Sequence, residues 1–118
     1  MISKKRQIEA FKKVIRTLQR SPQRYNFWFG DKPYSTRSRG CILALLGEKL
    51  GIATPPKVPT QSYPAKVAHQ LGIANEQTFY ARIQSIGGST YLRSGVYAIP
   101  TQQLPAILKT YIERYLVS

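Results

Sequence analysis

Between Ser3 and Arg20, the residues Ile8, Phe11, Val14, Ile15 and Leu18 recur at helical spacing inside a run of lysines and arginines. That period predicts an amphipathic helix with one apolar stripe. Such a stripe must be buried against another element, so it commits the chain to a packed core. Ser3 is placed to cap this helix, and Ser21-Pro22 to end it. A basic tail would carry the same charge without the period, so the basic segment is read as a folded element. The chain has 118 residues, enough for a single domain over 1–118 with a modest core. Apolar residues make up 42%, too many for a disordered chain.

The rest of the chain divides by the same logic. Residues 21–39 hold two prolines and a glycine and read as a long irregular connection. Its centre carries Tyr25, Phe27, Trp28 and Phe29. These rings either plug the core under the first helix or form a stacking platform for bases beside Arg24, Arg37 and Arg39. Both roles are compatible if Phe27 and Phe29 turn inward and Trp28 outward. Residues 40–51 read as a short helix that is apolar nearly all round, stopped by Gly51. An extended linker with Pro55, Pro56 and Pro59 follows. Residues 63–73 predict a helix with Ala65, Val67, Ala68 and Leu71 inward, then a turn at Gly72. Residues 75–86 predict another, with Phe79, Ile83 and Ile86 buried. The alternation around Ser94-Gly95 reads as a β-hairpin. A last helix over 102–116, capped by Thr101, carries the stripe Leu104, Leu108, Tyr111, Ile112 and Tyr115, which either closes the core or pairs two copies into a homodimer.

Charge decides what kind of partner suits this scaffold. The chain has 18 Lys and Arg against 5 Asp and Glu, a net +13. Residues 1–39 alone hold eleven of the cations against Glu9 and Asp31. A surface that basic repels itself and implies a polyanionic partner, with nucleic acid foremost. Lys4, Lys5, Lys12, Lys13, Arg16, Arg20, Arg24, Arg37 and Arg39 are the candidate phosphate contacts.

The order helix, helix, turn, helix, hairpin, with Val67-Ala68, Leu71-Gly72-Ile73, Thr78-Phe79-Tyr80, Arg82-Ile83 and the hairpin 89–99, resembles the winged helix-turn-helix superfamily over residues 40–99. The turn is one residue longer than the common form, and the preceding linker is unusually rich in proline. The resemblance implies an α+β, mainly α fold: a winged helix-turn-helix core over 40–99, a basic helix and aromatic loop over 1–39, and a C-terminal helix over 100–118. It also implies DNA binding, with a braced helix entering the major groove. Asn75, Gln77, Thr78, Ala81, Arg82 and Ser85 would then face the bases. Asn and Gln suit adenine, Arg suits guanine, and the methyl groups of Thr and Ala suit thymine. Tyr91, Arg93 and Ser94 would form the wing contact. Glu76 favours the helix dipole but repels phosphate.

Enzyme chemistry finds little support. Cys41 and His69 are the one cysteine and the one histidine, so neither an internal disulfide nor a zinc framework is available. Cys41 lies in an apolar run and reads as a small core residue. The five acids are scattered and form no metal-binding motif. No cofactor is expected. Single-cysteine usage points to the cytosol, and no apolar run is long enough to span a bilayer. The expectation is a non-catalytic binder of double-stranded DNA, a transcription regulator or an accessory factor of a mobile element or phage. The alternatives are a basic RNA-binding or nucleoprotein-assembly module, and an adaptor or inhibitor that docks an acidic protein on its basic face.

Overall fold

The computed structural model describes residues 2–20, 26–27, 42–52, 63–87, 90–91, 97–100 and 102–117. Helix α1 spans Lys4–Arg20. The backbone N–H of Arg6 donates to Ser3 Oγ at 3.3 Å, so Ser3 caps the first turn. Phe11, Val14, Ile15 and Leu18 are buried as the period requires, and Ala10 joins them. Gln7 is buried too. Its Nε2 donates to the Ile2 carbonyl at 2.8 Å, which satisfies the amide.

Helices α2 (Ile42–Leu50) and α3 (Tyr63–Gln70) end in the same way. The N–H of Ile52 donates to the Gly47 carbonyl and that of Gly51 to Glu48; the N–H of Ile73 donates to Ala68 and that of Gly72 to His69. Each pair of bonds is a Schellman closure. Gly51 and Gly72 sit at φ 74° and 73°, which glycine adopts without the Cβ clash. After each glycine an isoleucine turns back onto the core: Ile73 is buried and Ile52 packs against its edge. The Arg6 guanidinium adds a bond to the Leu50 carbonyl at 3.3 Å, tying α1 to the end of α2.

Helix α4 (Glu76–Ile86) follows the turn, and α5 (Leu104–Tyr111) follows the strands. Residues Ile112–Val117 continue α5 as a π-helical segment. The strands are short: β1 Asn26–Phe27, β2 Thr90–Tyr91 and β3 Tyr97–Pro100. They form an antiparallel ladder in the order β1-β3-β2, with Phe27 opposite Ile99 and Tyr91 opposite Tyr97.

The α+β winged-helix class expected from the sequence is corrected by this architecture. The molecule is helical, and every residue of its described core lies on a helix or on the turn between α3 and α4. Among the described residues the strands hold only two to four residues each, and the ladder is too narrow to form a layer. The terminal helices, expected to flank a separate core, are central to it. The most extensive helix–helix contact joins α1 to α5, followed by α1 to α2. The physical reason is the pair of long apolar stripes. Phe11 stacks on Tyr111 with ring centroids 5.0 Å apart, so each stripe becomes the other's main burial partner.

Two further expectations are adjusted. The last helix begins at Leu104 rather than 102, with Gln103 at its cap position and no side-chain cap bond; Thr101 lies outside the described residues. It does not continue as an α-helix to 116, because the i→i+5 bonding of the last segment replaces it. Leu116 is buried with Ile112 in the core.

Candidate nucleic-acid interface

Asn75 positions α4. Its backbone is extended, and its Oδ1 accepts from the Thr78 N–H and from Thr78 Oγ1, both at 2.9 Å. This N-cap satisfies a donor that the first turn leaves free. Phe79, Tyr80 and Ile83 face inward. Burial raises the Glu76 carboxyl above its ordinary pKa.

Arg82 is held from the other side. Its Nη1 donates to Tyr111 Oη at 3.2 Å, and its guanidinium carbon lies 4.5 Å from the Tyr115 ring centroid. Tyr111 is a hub: it stacks on Phe11, and its ring centroid lies 5.3 Å from that of Phe79 and 4.8 Å from that of Tyr115. Burial raises the Tyr111 hydroxyl above its ordinary pKa, while the Arg82 hydrogen bond and charge pull it down. Ser85 Oγ donates to the Arg82 carbonyl at 2.7 Å and lies 3.5 Å from Tyr115 Oη.

Of the six residues expected to face bases, Asn75, Thr78, Arg82 and Ser85 therefore have bonds within the chain. Gln77 and Ala81 are exposed. Gln84, not among the residues expected from the sequence, is exposed as well. Its i+7 spacing from Gln77 was the available signal, since 77, 81 and 84 share one helical face.

The cationic surface is carried by α1. Lys4, Lys5, Lys12, Lys13, Arg16 and Arg20 are all exposed. Arg24, Arg37, Arg39, Trp28, Arg93 and Ser94 lie outside the described residues, and Tyr91 is described only through its strand pairing. His69 is exposed on α3, and Cys41 lies outside the described residues. Among the described residues, no three His, Cys, Asp or Glu side chains come together as metal ligands. No described helix is long and apolar enough to cross a membrane. Comparison with protein-family models, with curated proteins and with solved structures finds no match to this chain.

Proposed function

We propose that this chain is a non-catalytic duplex-DNA-binding protein of the cytosol, a regulator or an accessory factor of a mobile element or phage. The observation that carries this reading is the set of seven exposed cations along α1, Arg6 among them, in a chain of net charge +13. Each phosphate such a set neutralises releases counterions, which supplies affinity without sequence preference. Helix α4 supplies the rest. It is capped at its start, anchored through Phe79 and Ile83, and shows Gln77, Ala81 and Gln84 outward. A glutamine amide can bond adenine N6 and N7 in the major groove, and the Ala81 methyl can meet a thymine methyl. Arg82, bound to Tyr111 and Tyr115, acts as a brace for α4 in this reading.

Electrophoretic shifts with a random duplex pool and a matched single strand, each at two salt concentrations, test the proposal. Duplex binding that is preferred and weakens steeply with salt is the expected result. Equal or stronger binding to single strands or structured RNA would overturn it, as would no nucleic-acid binding at low salt.

A further inference from the structure

Where α1 crosses the end of α5, the surface opens into a groove of about 320 Å³ lined by Lys12, Ile15, Arg16, Lys109, Ile112 and Glu113. Ile15 and Ile112, both largely buried, form its floor. Three cations and one carboxylate form its rim. Val117 is 65% exposed, the one large exposed hydrophobic side chain among the described residues. It lies on the same π-helical segment as Ile112, five residues further on.

We infer that this groove docks an acidic, amphipathic segment of a protein partner, a function beyond the binding of DNA. The argument is charge complementarity around an apolar floor. Carboxylates on the partner would meet Lys12, Arg16 and Lys109, while its apolar side chains reach Ile15 and Ile112. A phosphodiester backbone has no apolar group to place against the floor, so it would use only the rim. A second copy of this chain is a poor occupant: with 5 acids against 18 cations it has no acidic segment to offer and carries the same repelling charge. Glu113 is the one rim group that opposes an acidic ligand, and it gives the proposal a test of opposite sign.

The probe is a fluorescein-labelled peptide with two leucines four residues apart among glutamates, titrated by anisotropy against the full chain. Its serine-for-leucine version and a labelled duplex serve as comparisons. Lys12→Glu and Lys109→Glu each lower affinity for the leucine peptide about ten-fold, and Glu113→Lys raises it. Lys5→Glu, two turns before Lys12 on α1, changes it much less. All four positions are exposed, and circular dichroism checks that the variants fold. Equal binding of the leucine and serine peptides would overturn the proposal, because the floor would then be idle. So would an equal loss from Lys5→Glu and Lys109→Glu, which would mean diffuse charge. Loss of duplex binding with peptide binding intact would overturn it too, assigning the rim to phosphate. These outcomes are separate from the duplex-preference test, so either reading can fail alone.

Discussion

Arg82 on α4 is held by two groups of the C-terminal segment. Its hydrogen bond to Tyr111 and its place over the Tyr115 ring join α4 to the C-terminal segment. Arg82→Ala should cost about 1–3 kcal/mol of folding stability, since a charge-assisted bond and a cation–π contact go together. Denaturant unfolding measures this. If the guanidinium is a brace, duplex affinity falls alike across sequences; relaxed preference at a single base pair would instead make it a reader. Tyr111 gives a pH signature. Its folded pKa is raised above the ordinary 10.0, so the folded state holds the proton longer than the unfolded state. Stability from this group is intact below about pH 10 and is lost as pH rises through the folded value. Unfolding curves at pH 8 and pH 11 should show a smaller alkaline loss in Tyr111→Phe than in the parent chain. At the start of α4, Asn75→Ala should cost about 1 kcal/mol through loss of the cap to Thr78.

At the level of elements, close packing governs which substitutions are tolerated. A Cβ on Gly47 of α2 would stand 2.5 Å from Tyr63 Oη and 2.6 Å from Val67 Cγ2 on α3. The Tyr63 hydroxyl is not free to swing away without loss, because it donates to the Ile52 carbonyl at 2.8 Å. Alanine's better helix propensity is worth about 1 kcal/mol at most, and overpacking costs about 1–3. Gly47→Ala should therefore lower stability, read as a reduced denaturation midpoint. Much of this level was legible in advance. Spacing alone placed most of the buried faces of α1 and α4, although Ile8 and Ile86 are only half-buried and Tyr80 is buried outside the expected stripe. Gly51 and Gly72 marked the ends of α2 and α3. The π-helical end of α5 was not legible, because the same residues fit an α-helical stripe. Nor was the pinning of Arg82, since its partners lie 29 and more residues away along the chain.

For the whole molecule, charge and packing act on different properties. In the duplex-binding reading, Lys12→Ala with Lys13→Ala should flatten the dependence of log affinity on log salt by about two units and weaken all sequences alike. A slope unchanged from the parent would remove α1 from the phosphate contacts. The sequence by itself determined that the chain must fold, that its first helix is cationic outside and apolar inside, and that a helix follows a glycine turn. These are local consequences of spacing, charge and backbone sterics, so they need no knowledge of neighbours. Only the tertiary structure decided that α1 and α5 bury one another at the centre of a helical molecule, which residues of α4 stay free, and that Ile15 and Ile112 share a groove. An apolar stripe states that burial is required without naming its partner, and the partner is chosen by which faces pack together best.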